Sequence, residues 1–177
     1  MSARIIMVTG GQRSGKSAFA ESMALEMVER PTYLATAQIF DDEMRKRVEI
    51  HRARRQSRWR NLEAPFELTT QWFDDGETVL LDCLTLWASN WFFRLGEDTD
   101  AALAEMKSQL THLAERDMTL VIVTNEIGLG GVSENALRRR FTDLQGAINQ
   151  FVASLADEVY MTVSGIPVKI KPQQKSL

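Results

Sequence analysis

Arg4-Ile5-Ile6-Met7-Val8-Thr9-Gly10-Gly11-Gln12-Arg13-Ser14-Gly15-Lys16-Ser17 is the stretch whose reading decides the fold. Its apolar run ends in Gly10 to Ser17, which fits G-x-x-x-x-G-K-[ST], the Walker A phosphate loop. Gly10, Gly11 and Gly15 allow backbone conformations barred to residues with a Cβ, so several N–H groups can turn toward one anion. The helix that follows offers its unpaired N-terminal amides and the positive end of its dipole. Lys16 brings a mobile positive charge for the outer phosphates of ATP or GTP. The Ser17 hydroxyl is a ligand for Mg²⁺. Gln12, Arg13 and Ser14 complete the loop that would wrap the nucleotide.

Working outward, 177 residues suit one domain, read here as a single kinase-type unit over 1–177. The chain is 44% apolar, enough for a core, and its net charge of −3 gives no global pull toward nucleic acid or acidic membranes. The single cysteine, Cys83, excludes an internal disulfide and fits a reducing, cytoplasmic setting. No apolar run approaches the roughly 20 residues that span a bilayer, so no membrane span is expected.

Short apolar runs alternate with helical patterns along the chain. Strands are expected at Ile5–Val8, Thr32–Ala35, Thr78–Asp82, Thr119–Thr124 and Glu158–Val163, with Val168–Ile170 as a last edge strand. Helices are expected over Ala18–Glu29, Asp41–Ser57, Pro65–Phe73, Leu84–Phe93, the stretch capped by Asp100, and Glu134–Ala156; Lys171–Leu177 reads as a frayed tail. Near-continuous apolar strands separated by helices are strands covered on both faces. The expected fold is therefore α/β: a P-loop NTPase of RecA-like type, its mostly parallel central sheet flanked by helices. Ligands of such sheets lie beyond the carboxyl ends of the strands. Gly10–Ser17, Thr36-Ala37-Gln38, Asp82, Thr124-Asn125-Glu126 and Ser164-Gly165 converge there.

Asp82 ends a strand in the manner of a Walker B acid, a carboxylate that can hold Mg²⁺ with Ser17. It could also cap the helix from Leu84, and the two roles are compatible. The second unusual stretch is Asp41–Arg60, where eight of the chain's 21 Lys and Arg fall in the 16 positions 45–60. Arg47, His51 and Arg55 share a helix face at i, i+4 and i+8, with Arg54 beside them, while Met44 and Val48 are expected to pack elsewhere. Guanidiniums around an imidazole would keep it unprotonated, as a nucleophile toward phosphorus must be. A solvated basic helix with an incidental histidine explains the same residues, and on the residues alone the two readings stand level. Glu63 and Glu126 are acids near strand ends, each open to a base, metal-shell or capping role. Trp87, Trp91, Phe92 and Phe93 read as core or subunit interface.

Taken together, the motifs resemble the bifunctional adenosylcobinamide kinase / adenosylcobinamide-phosphate guanylyltransferase family of cobalamin biosynthesis. The resemblance runs through T-G-G-Q-R-S-G-K-S at Thr9–Ser17, Y-L-A-T-A-Q at Tyr33–Gln38, D-D-E-M at Asp41–Met44, and Arg47 with His51. It continues through Trp59-Arg60, Glu63, L-L-D-C-L-T at Leu80–Thr85, V-T-N-E-I-G at Val123–Gly128 and V-S-G-I-P-V-K-I-K at Val163–Lys171. It implies phosphorylation of adenosylcobinamide by ATP or GTP, then transfer of GMP from GTP to adenosylcobinamide phosphate. The position matching the family's guanylylated histidine is His51. The same resemblance implies nucleotide contacts at Gly10 to Ser17, Thr36, Ala37, Gln38, Arg52, Ala53, Arg54, Glu63 and Asp82, and a homotrimer. Gly131, Ser133 and Thr142 depart from the family's pattern. The alternatives are a single-activity P-loop small-molecule kinase and, from another class, a recombinase-type ATP-driven module, which would call for DNA-binding loops and a basic surface.

Overall fold

Strand β1 (Arg4–Gly10) shows why the chain folds in layers. Successive strand side chains point to opposite faces. Ile5 and Met7 accordingly enter one apolar cluster, and Ile6 and Val8 enter another. A strand buried on both faces must lie inside a sheet with helices on each side. The computed structural model describes residues 2–172, with the side chains of Arg47, His51, Arg54 and Gln56 left outside the description. The tail beyond residue 172 therefore lies outside the described residues.

The remaining strands are β2 (Thr32–Ala35), β3 (Arg60–Glu63), β4 (Glu77–Asp82), β5 (Met118–Val123), β6 (Glu158–Val163) and β7 (Ile166–Lys171). They form one seven-stranded sheet in the order β3-β2-β4-β5-β1-β6-β7. Every neighbour pair is parallel except β6 and β7, which form an antiparallel hairpin at one edge. Helix α1 (Lys16–Met27) buries Ala20 and Ala24 against Ile6, Val8, Leu80, Val121 and Val123. On the other face lie α3 (Leu84–Arg94), α4 (Thr99–Ala114) and α5 (Ala136–Leu155), which bring Trp87, Phe92, Met106, Leu110, Leu144 and Ile148 to the larger core. Helix α2 (Asp42–Arg55) follows β2 and passes over the carboxyl end of the sheet, where it lines the cavity described below.

The sheet is the expected α/β sheet with its parallel centre. Three local expectations are corrected. Arg60–Glu63, which carries no apolar run, forms edge strand β3 beside β2. Pro65–Phe73 is not a helix but a run of turns, held by other elements: the Leu68 amide donates to Gln109 Oε1 at 2.8 Å, and Arg116 Nη2 donates to the Phe73 carbonyl at 2.7 Å. Helix α4 is capped by Asp98, whose carboxylate accepts from the Ala101 amide, and not by Asp100. The expected reading of the α3 aromatics as core holds for Trp87, Trp91 and Phe92; Phe93 is exposed.

Candidate functional site

The carboxyl ends of β1, β2, β4, β5 and β6 meet at one end of the sheet, and the sequence dictates how each is shaped. Gly15 has φ +94°, a left-handed conformation that favours glycine, and a Cβ there would stand 3.1 Å from Gly165 Cα. The phosphate loop is thus pressed against the β6–β7 turn. Two hydrogen bonds fix the contact: the Gly165 amide donates to the Ser14 carbonyl at 2.9 Å, and the Ser14 and Thr162 hydroxyls pair at 2.7 Å. On the other side the Glu126 amide donates to the Gly10 carbonyl at 3.0 Å, pinning the loop after β5 to the phosphate loop. Gln12 and Arg13 face solvent.

Lys16 is buried at the start of α1, and its ammonium donates to the Gly11 carbonyl at 2.7 Å, closing the loop on itself. Burial lowers the pKa of this amine, with the nearby Cys83 and Asp82 pulling the other way. Cys83 is a buried thiol pushed up to about 12 by desolvation and by the Asp82 charge, so it stays protonated. Its sulfur accepts from the Leu86 amide and caps α3, the capping role that sequence offered to Asp82.

Asp82 is free of that duty. Its Oδ2 accepts a 2.6 Å hydrogen bond from the Tyr33 hydroxyl. Thr36 is fully buried: its hydroxyl donates to the Cys83 carbonyl at 2.8 Å and accepts from the Cys83 amide at 3.0 Å. Asn90 Nδ2 donates to the Thr36 carbonyl at 2.8 Å, so Thr36 braces the ends of β2 and β4 from inside. Ala37 and Gln38 follow it, half-buried.

Between these ends and α2 opens a cavity of about 530 Å³. Its walls carry Ser17 from the phosphate loop, Tyr33, Ala35 and Ala37 from β2 and its end, Asp82 and Leu86, and Asp41, Glu43, Met44, Val48 and Arg55 from the α2 region. Met44 and Val48 therefore do not pack away from the basic face; with Arg55 they form the face of α2 turned to the cavity. Arg55 is buried, its guanidinium 3.5 Å over the Tyr33 ring and its Nε donating to Asn61 Oδ1 at 3.2 Å. Arg52 is exposed and pairs with Glu63 at 3.8 Å, linking α2 to the end of β3; Ala53 is exposed beside it. His51 lies in α2 by its backbone, while its side chain and that of Arg54 lie outside the described residues.

The site thus brings together Ser17, Ala37, Asp82 and Arg55, keeps Thr36 as a brace, and leaves Gln12, Arg13 and Ala53 in solvent. Sequence reasoning passed over Tyr33. The one hint was an aromatic hydroxyl in a short buried strand, where a buried O–H must find a partner, though not which one. Strand β5 lies between β1 and β4, so one strand separates the phosphate loop from Asp82. Among the described residues no group of three His, Cys, Asp or Glu stands ready to hold a metal unaided.

The family described as cobinamide kinase / cobinamide phosphate guanyltransferase matches residues 6–170. Two curated relatives match along nearly their whole length. The bifunctional adenosylcobalamin biosynthesis protein CobU of Escherichia coli (strain K12) is 41% identical, covering 94% of this chain and 99% of that one. The bifunctional adenosylcobalamin biosynthesis protein CobP of Pseudomonas aeruginosa is 39% identical, covering 93% and 96%. Among solved structures, an ATPase from the type III secretion system of pathogenic bacteria superposes with a TM-score of 0.51 at 10% identity, covering 90% of this chain and 51% of that one. That likeness concerns the P-loop NTPase fold alone.

Proposed function

The chain belongs to the cobinamide kinase / cobinamide phosphate guanyltransferase family, and on that footing we propose that this one domain, 1–177, carries out both reactions of the family. In the first, the γ-phosphate of ATP or GTP passes to the hydroxyl of adenosylcobinamide. In the second, an imidazole nitrogen of His51 attacks the α-phosphorus of GTP and the α–β phosphoanhydride breaks, releasing pyrophosphate and leaving a guanylyl-histidine. The phosphate oxygen of adenosylcobinamide phosphate then displaces the imidazole, and the P–N bond breaks to give adenosylcobinamide-GDP. Splitting one transfer into two displacements is what a nucleophilic side chain contributes.

The observation that carries this reading is the placement of α2. Met44, Val48 and Arg55 face the same cavity as Ser17 and Asp82, and position 51 belongs to the same helical stripe. A single-activity kinase could use the arginines of such a helix but would need no nucleophilic histidine on it. Gly10 to Ser17 would cradle the phosphates, and a phosphate oxygen would replace the Gly11 carbonyl as the partner of Lys16. Arg52, Arg54 and Glu63, with Thr36, Ala37 and Gln38, are assigned to the nucleotide's surroundings, Thr36 from within. Ser17 and Asp82 would hold Mg²⁺. Two such groups suit an ion that arrives on a nucleotide and keeps phosphate and water ligands. When bound, Mg²⁺ neutralises charge on the phosphates.

No described helix is long and apolar enough to cross a membrane. We assign the enzyme to the cytoplasm, where Cys83 would stay reduced, with small-molecule substrates and no nucleic acid. A homotrimer is part of the same reading, supported by exposed Val163, Ile166, Val168 and Ile170 on the β6–β7 edge.

The test is covalent labelling. Incubation with α-labelled GTP should yield an acid-labile, base-stable protein adduct, and γ-labelled GTP should not. His51→Ala should lose the adduct while keeping part of the cobinamide phosphorylation. A wild-type protein that phosphorylates cobinamide yet takes no α-label would exclude the guanylyltransferase half.

A further inference from the structure

Tyr33 has no task in the scheme above, yet it touches both halves of the site. It is buried in β2, and its ring is held from two sides: the Arg55 guanidinium lies 3.5 Å over one face, and Trp59 meets it edge-on with centroids 5.6 Å apart. The ring therefore has little freedom to swing. Its hydroxyl, thus fixed in space, donates to Asp82 Oδ2 at 2.6 Å, the short range of a charge-assisted O–H···O⁻ bond. A cation over the aromatic face draws density from the ring and strengthens that donor.

A carboxylate gripped at one oxygen by an immobile donor cannot rotate freely, and its other oxygen is the less encumbered one for an ion. Mg²⁺ demands near-ideal octahedral geometry and takes a carboxylate through one oxygen when phosphates and water fill the other positions. Partners that orient a metal ligand in this way have a large effect: losing one typically costs about 10–100-fold in metal affinity.

We propose that Tyr33 is a positioning residue for the metal: its hydroxyl, anchored by Arg55 and Trp59, orients Asp82 so that a single carboxylate oxygen reaches Mg²⁺ carried by the nucleotide. The proposal rests on the assignment of Asp82 to the metal made under the proposed function. It extends that assignment by tying the acid to the last turn of α2. The helix that carries His51 and the acid that holds the metal are thereby set in register through one side chain.

The test uses Tyr33→Phe, which keeps the ring and its two stacking partners and removes one oxygen. Mn²⁺ is titrated by electron paramagnetic resonance into wild type, Tyr33→Phe, Asp82→Asn and the double variant. Each is saturated with α,β-methylene GTP, which cannot guanylylate the protein. Tyr33→Phe should weaken Mn²⁺ about 10–100-fold, with its metal-free nucleotide affinity in EDTA within twofold of wild type. In the Asp82→Asn background the same substitution should add nothing, because the two act through one bond. An unchanged Mn²⁺ affinity in Tyr33→Phe, an additive double variant, or no effect of Asp82→Asn would each overturn the proposal. Should wild type fail to phosphorylate cobinamide while Tyr33→Phe still loses Mn²⁺ selectively, the proposed function falls and Tyr33 keeps its role. If cobinamide is phosphorylated and Mn²⁺ binding ignores Tyr33, the reverse holds.

Discussion

Glu158 takes three donors at once. Arg4 Nη2 stands 2.6 Å from Oε1, and Lys169 Nζ and the Tyr160 hydroxyl stand 2.7 and 2.8 Å from Oε2. Together, led by Lys169, they hold its carboxyl down to about 2. In the unfolded chain the same group titrates near 4.3. The unfolded state therefore takes up a proton first as the pH falls, and the stability Glu158 confers is complete above about pH 5 and disappears toward pH 2. Glu158→Gln should lower the urea midpoint at pH 7, and the gap to wild type should narrow steadily between pH 5 and pH 3. A gap as wide at pH 3 as at pH 7 would show that the donors stabilise the fold through shape alone. At this scale the phosphate loop was legible because each of its residue types answers one demand of an anion. Asp82 was legible as a strand-end acid. Tyr33 was not, because its value lies in three contacts from α2, β4 and the turn at Trp59, and pairings across more than twenty residues leave no local trace.

At the scale of elements, α5 is fastened to the end of β5 by a buried polar cluster. The Thr124 hydroxyl pairs with Asn149 Oδ1 at 2.7 Å, Gln145 Nε2 donates to both, and Asn149 Nδ2 donates to the Asn125 carbonyl at 3.1 Å. Deleting one member strands the rest in a low-dielectric interior. Asn149→Ala should therefore cost about 1–3 kcal/mol in urea denaturation, and a change below about 0.5 kcal/mol, the size of an ordinary surface substitution, would mean the cluster is already satisfied by water. The central strands were legible as apolar runs and the long helices by their period. Strand β3 was not: Arg60-Asn61-Leu62-Glu63 is polar because it is an edge, with only Leu62 packed against the core. Pro65–Phe73 misled in the opposite direction. Its Leu68 and Phe73 are buried, but the side chains of Gln109 and Arg116 take its backbone groups.

For the whole molecule the open question is what covers the β7 edge. Ile166 is 66% exposed and Val163 52%, and they stand opposite each other in the hairpin. Apolar edge strands left bare invite pairing with another chain. Ile166→Asp with Val168→Asp should convert the proposed homotrimer into the 20.1 kDa monomer in sedimentation, with the far-ultraviolet spectrum unchanged; a trimer that survives both would place the subunit contact elsewhere. The layer architecture followed from sequence, but the strand order did not: nothing in residues 118–123 says that they slip between β1 and β4. That order also bears on how the protein is made. The first strand to leave a ribosome, β1, has β5 and β6 as its partners, and the turn that props Ser14 is residue 165. The Gly10–Ser17 loop is thus walled by segments far along the chain, as far as the β6–β7 turn. These pairings join segments far apart in sequence, and such long-range pairing is the slow kind. The shape of the Gly10–Ser17 loop is therefore completed by the last hairpin of the sheet.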